Sequence, residues 1–194
     1  MKKQTTLALG LILTSSVALA DAPFFTASFE AGGDTLAELT DGTELTAGGD
    51  FYLALGYEVS IPNSKSLSVL SSIGWKYGSL VASDGDADLT RFPLELIIQS
   101  SVSDKVKLGA GLSYHLAPTY NETSPGIASL TIDFDNALGF VLQGGYSLSK
   151  QSSIGVRFTA IDYKINTLSF NGSNFKVNDT IDASSFGLFY NYNF

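Results

Sequence analysis

The chain has 194 residues, of which 44% are hydrophobic, 12% aromatic and only 15% charged, with 19 glycines, one histidine, one tryptophan and no cysteine. That length supports one domain with a sizeable core, and the lack of cysteine excludes a disulfide scaffold, thiolate metal clusters, a cysteine nucleophile and a lipid-modified N-terminal cysteine. Eleven basic against 19 acidic residues leave a net charge of −8, the wrong sign for a phosphate backbone, so no nucleic-acid partner is expected.

Residues 1–20 read as a secretory signal, with Lys2 and Lys3 as the positive start, an apolar stretch from Leu7 to Leu13, and Ala18, Leu19 and Ala20 as a small-residue cleavage site. Cleavage would make Asp21 the first residue and, by removing two lysines from a chain of −8, leave a charge of −10. From there apolar residues recur at every second position, the period of a strand and not of a helix. Eight runs follow in order. They are Phe25 to Phe29, Phe51 to Val59, Leu67 to Tyr77, Phe92 to Ile98, Val106 to Tyr114, Leu138 to Tyr146, Ile154 to Ala160, and Phe186 to Phe194.

Connectors at 61–65, 101–104 and 149–152 are short. Those at 83–88, 117–128 and 166–179 are longer and rich in Asp, Asn, Ser and Gly, and a tight turn over 39–43 makes a fourth on that side. Short turns on one rim and longer loops on the other describe an all-β, up-and-down antiparallel meander over residues 21–194. Eight tilted strands of that length can cross a bilayer and close into a transmembrane barrel.

Periodicity alone does not say which face looks outward, but composition does. The second face is built from small residues, among them Thr46, Gly48, Ala54, Gly56, Ser72, Gly74, Gly78, Gly109, Gly111, Ser113, Ser185 and Gly187. A water-facing surface would carry long charged side chains, whereas a narrow eight-stranded lumen admits mainly small ones. Glu30, Asp50, Glu58 and Glu95 share this face with Lys76, Arg91, Lys107 and Arg157, four acids against four bases, and His115 joins them. Unpaired, such charges would be costly in a narrow lumen, so an ion-paired network and a plugged interior are expected. A gated polar passage is the alternative. Pro93, on the same face, lacks a ladder donor and predicts a bulge nearby. Outside, Tyr57, Trp75, Tyr77, Tyr114, Tyr146, Tyr190 and Tyr192 are candidates for interfacial aromatic girdles.

Phe186, Leu188, Tyr190, Tyr192 and Phe194 alternate up to an aromatic final residue. This resembles the terminal signature of small eight-stranded Gram-negative outer-membrane β-barrels, which the outer-membrane assembly machinery reads on the last strand. The sequence FDNALGFVLQGGY at residues 134–146, followed by 157–165, also resembles the OmpW-like, porin-like barrels. That resemblance implies a narrow route for small hydrophobic solutes, and the wider one implies contact with outer-membrane lipid and lipopolysaccharide.

Catalytic signals are sparse. His115 is the sole histidine and the obligatory centre of any acid–base scheme. Lipid A deacylases, which the barrel class includes, carry a serine two residues after the catalytic histidine, where this chain has Ala117. Asp84, Asp86 and Asp88, with Glu95 at the twelfth position, match part of an EF-hand loop, but Leu89 occupies the position that requires glycine. No metal, cofactor or enzyme activity is therefore expected. The leading functional reading is restricted passage of small, hydrophobic molecules or support of envelope integrity. An adhesin-type surface role of the acidic loops, such as 119–123 and 170–175, is the second reading, and a lipid A-modifying enzyme centred on His115 is the third.

Overall fold

The computed structural model describes residues 22–39, 42–64, 66–82, 85–124 and 127–194; the signal segment expected at 1–20 lies outside them. The described residues form fourteen strands and no helix. They are β1 (Ala22–Ala31), β2 (Thr35–Glu38), β3 (Glu44–Thr46), β4 (Asp50–Ser60), β5 (Leu67–Ala82), β6 (Gly85–Ser101), β7 (Val106–Ser124), β8 (Ile127–Phe134), β9 (Ala137–Ser147), β10 (Ser152–Ala160), β11 (Asp162–Phe170), β12 (Ser173–Phe175), β13 (Thr180–Asp182) and β14 (Ser185–Asn193). Eight of these, β1, β4, β5, β6, β7, β9, β10 and β14, are the staves of a closed antiparallel barrel. β1 closes it against β14, with Phe24 opposite Asn193 and Ala31 opposite Phe186. Closure satisfies the backbone of both terminal staves and leaves the ring without an edge.

The sidedness read from composition holds. Phe29, Leu55, Ile73, Leu138, Phe140 and Leu188 are each about 60% exposed or more, whereas Tyr52, Arg91 and Ser113 are at most 1% exposed. Chains of exposed apolar side chains make a band on the outer wall, and Trp75 stacks on Tyr77 at 5.2 Å. Inside, the small residues make room for large neighbours on the adjacent stave. A Cβ on Gly74 would lie 2.2 Å from the Tyr52 ring, one on Gly56 2.3 Å from the Phe24 ring, and one on Gly187 2.6 Å from Glu30 Cγ. The glycines thus seat the lumen's bulky groups.

The anticipated irregularity lies beside Pro93: the β6–β7 register shifts between Thr90 and Phe92, where Ala117 and Pro118 of β7 together face Arg91. Ala117 takes a φ of 44° there, the extra residue of a bulge.

Two expectations are corrected. Residues 85–88, 117–124 and 166–170 are not loops but strand, because β5, β6, β7, β8 and β11 continue past the apolar band as a raised sheet. Beyond the band the outward face meets water while the inward face packs on residues 45–47, so the outward apolar alternation stops while the ladder continues. Polar cross-strand contacts hold it instead, including Asn121 to Asp88 (3.3 Å), Thr131 to Asn121 (3.2 Å) and Thr119 to Asp133 (3.2 Å). Its last hairpin, β11–β12, turns on Asn171 and Gly172, both with positive φ (50° and 77°). Second, the turn at 39–43 does not join two staves. It caps a short hairpin, β2–β3, that forms its own two-stranded sheet and folds into the barrel mouth. Gly32 and Gly33, at φ 128° and 80°, turn the chain out of β1, and Asp50 at φ 99° returns it to β4.

Candidate functional site

The lumen is layered. Nearest the chain termini, Phe24, Leu70, Ile97 and Val141 pack together beside a cavity of about 30 Å³ whose lining includes Thr26, Gln99, Lys107, Gln143 and Asn191. That is space for one or two waters. At its edge Lys107 approaches Glu58 at 3.8 Å, and Glu58 also accepts from Ser68 Oγ (2.6 Å) and Asn193 Nδ2 (3.0 Å).

The middle layer holds the remaining charges. Register places Lys76 opposite both Tyr52 and Arg91, and Glu30 opposite Asp50 and Gly187. Lys76 Nζ donates to Glu30 Oε2 (2.7 Å), to the Gly48 carbonyl (2.6 Å) and to Ser185 Oγ (3.3 Å). Glu30 accepts in addition from Ser28 Oγ (2.8 Å) and Ser185 Oγ (2.6 Å), and Arg157 Nε stands 3.3 Å from its other oxygen. The Arg157 guanidinium donates both terminal nitrogens to Glu95, which also accepts from Ser113 Oγ (3.2 Å). Its Cζ sits 5.0 Å above the Tyr52 ring. Lys76, Glu30, Arg157 and Glu95 form one chain of alternating sign, buried throughout. Such burial is tolerable only with this degree of pairing. The space among Glu30, Tyr52, Lys76, Pro93, Glu95, His115, Arg157 and Thr159 has no volume for a water.

All nine charged or polar residues assigned to the lumen from sequence face it, but they do not form one cluster. Glu58 and Lys107 pair near the termini. Arg91 is 0% exposed and donates from Nη2 to the Gly49 carbonyl at 2.6 Å, with the Tyr163 hydroxyl also beside it. Its Nε and Nη1, like Asp50 Oδ2, have no hydrogen-bond partner among the described residues. His115, 3% exposed, shares a hydrogen bond with Tyr163. Sequence reading placed Ser113 and Ser185 on the inner face without assigning them partners, and did not single out Tyr52 or Tyr163. Their inward parity was visible, but nothing local marks which hydroxyl will meet which charge.

The third layer, towards the loop end, is apolar. Leu80, Ala87, Leu89, Tyr120, Phe134, Ala137, Ile161, Tyr163 and Ala183 of the wall enclose Leu45 and Ala47 of the β2–β3 plug. The partial EF-hand pattern is not a loop here. Asp86 and Asp88 lie on β6, Asp88 accepts from Asn121, and Glu95 is committed to Arg157 in the middle layer. Asp84 lies outside the described residues.

A closed eight-stave antiparallel ring with an apolar outer band, aromatic residues among it and paired charges inside defines an outer-membrane β-barrel. The chain belongs to the family of the outer membrane protein beta-barrel domain, whose model matches residues 5–194. Among solved structures it is similar to Ail, the attachment invasion locus protein of Yersinia pestis, with a TM-score of 0.58, 12% identity, and coverage of 90% of this chain and 97% of that one. Ail bound to the heparin analogue sucrose octasulfate aligns over the same shares with a TM-score of 0.57. Neisserial surface protein A aligns at 0.51 with 15% identity, again over 90% and 97%. These likenesses are of fold. A comparison with curated proteins finds no sequence relative.

Proposed function

We propose that this outer-membrane barrel is a non-catalytic surface and envelope protein with no open route through its lumen. The observation that carries this reading is the solid middle layer, where Glu30, Lys76, Arg157 and Glu95 close the barrel with side chains bonded to one another and leave no space for water. His115 supports the non-catalytic part, since it is sealed against Tyr163 and away from the lipid-facing wall. The cleaved signal, periplasmic termini, contacts with lipid and lipopolysaccharide, and a last strand handed to the assembly machinery belong to the same proposal and rest on the sequence pattern.

The raised sheet supports the surface role. Together with the plug hairpin and the neighbouring connections, the described loop end carries Asp34, Glu38, Glu44, Asp86, Asp88, Glu122, Asp133, Asp135, Asp162, Asp179 and Asp182 against Lys164 and Lys176. A cationic partner fits such a surface, and a sulfated polyanion, the ligand of the Ail complex, does not. Planar-bilayer recording of the refolded protein is expected to give no stepwise openings; a reproducible unit conductance, or swelling of proteoliposomes with small or hydrophobic solutes, would return the passage reading to first place. Proteoliposomes are expected to bind polylysine in a salt-sensitive manner and heparin not at all. The reverse preference would end the charge argument.

A further inference from the structure

The plug is held from below by two cations. Lys76 and Arg91 are cross-strand neighbours on β5 and β6, and they donate to the consecutive carbonyls of Gly48 and Gly49. A backbone carbonyl is a weak acceptor for a buried cation, whereas a carboxylate is charged and takes two donors at once. Arg91 leaves part of that capacity unused: it is fully buried, with the Asp50 carboxylate and the Tyr163 hydroxyl close by, yet its Nε and Nη1 have no hydrogen-bond partner among the described residues. Directly above, the wall is apolar, with Leu80, Leu89, Tyr120 and Phe134 around Leu45 and Ala47. β2–β3 forms a ladder only with itself; its other ties to the rest of the chain are a few single bonds, Asp34 N–H to the Asp182 carbonyl (2.8 Å), Asp182 N–H to Asp34 Oδ2 (2.8 Å) and Gly48 N–H to the Gly32 carbonyl (3.0 Å), so withdrawing it breaks those bonds but no stave-to-stave ladder.

We propose that residues 45–49 are an internal stand-in for an amphiphilic anion, and that the barrel mouth is a blind cup for a long-chain carboxylate of the fatty-acid class. The carboxylate replaces the Gly48 and Gly49 carbonyls on Lys76 and Arg91, and the alkyl chain replaces Leu45 and Ala47 against the apolar wall. The charged layer beneath closes the floor, so the cup binds without conducting. Asp50, at the foot of the plug, is the competing anion, and its Oδ2 is unpartnered.

The test compares dodecanoate, dodecanol and dodecyltrimethylammonium on the full-length barrel refolded in non-ionic detergent, by calorimetry and native mass spectrometry, with hydrogen exchange followed at residues 45–49. Dodecanoate is expected to bind at least tenfold more tightly than the alcohol or the cation, and to raise exchange at the Gly48 and Gly49 amides. Arg91→Gln is expected to weaken dodecanoate at least tenfold, and Asp50→Asn to strengthen it severalfold. Should Arg91→Gln not fold, Leu45→Ala keeps both cations, loosens the plug and is expected to tighten binding severalfold. Equal binding of the three amphiphiles, no dodecanoate binding by either the native chain or Leu45→Ala, or unchanged exchange at residues 45–49 overturns the proposal. Conductance plays no part in these outcomes, so they succeed or fail independently of the closed-lumen reading.

Discussion

Within one cylinder, the middle and the loop end of the lumen are filled in opposite ways. The middle layer is a chain of four buried charges whose partners come from β1, β5, β6 and β10, while the loop end is an apolar cluster completed by a hairpin from outside the ring. In the first, each group is held by the penalty of leaving its partner unpaired. In the second, the hold is burial and close packing, which is spread over many contacts. The middle should therefore fail sharply when one member is removed. The end should weaken in proportion to the volume lost.

The largest effect is expected from Glu30→Ala, which leaves Lys76 without a carboxylate partner and takes one of the two carboxylates from Arg157, and should cost about 3–5 kcal/mol, read as a fall in the urea midpoint of the refolded barrel. If Glu30→Ala and the paired double variant Glu30→Ala, Lys76→Met proved equally unstable, the pairing account of the middle layer would fail. Next, Leu89→Ala, with its side chain fully buried, should lose about 2–4 kcal/mol by transfer and cavity terms in the same assay; a loss near zero would mean that the loop-end layer collapses around the gap. Leu142→Lys places a charge on the lipid-facing wall and is expected to cost up to about 2–4 kcal/mol if it sits near the bilayer midplane. The same change should be nearly silent for a wall facing water.

The smallest effect concerns pH. Asp182, above the apolar band, is held below the ordinary aspartate range by hydrogen bonds from the Ser184 side chain and amide. Its folded-state value is depressed, so its contribution is present above the unfolded aspartate pKa and fades as the pH falls below about 4. Asp182→Asn should remove that acid-side slope while leaving the neutral-pH midpoint within a few tenths of a kcal/mol, because the group is exposed. A midpoint titration between pH 3 and 6 decides it.

Much of the ring was legible in the chain. Phe51 to Val59 alternate outward as expected, and Gly56, Gly74 and Gly187 take the inward, crowded positions. The charges assigned to the lumen divide between two levels, Glu58 with Lys107 near the termini and the others in the middle layer. The raised sheet was not legible, because residues 119–123 and 166–170 are mostly polar and carry too few apolar positions, Tyr120, Leu168 and Phe170, to show a sustained two-residue period. The plug was missed for another reason: Leu45 and Ala47 follow the same alternation as a stave, and only the turn at Gly32 and Gly33 redirects them inward.

By itself, the order of residues determined the number of staves, which face is the apolar outer one and that the interior would be charged and paired, since all three are set by a two-residue period and by side-chain size. Tertiary structure decided that Glu30 serves both Lys76 and Arg157, that Arg91 reaches the Gly49 carbonyl, and that a hairpin seals the mouth. Those facts depend on the stagger of strands around a closed ring, which brings together groups as far apart in the chain as Glu30 and Ser185. No local pattern encodes that stagger.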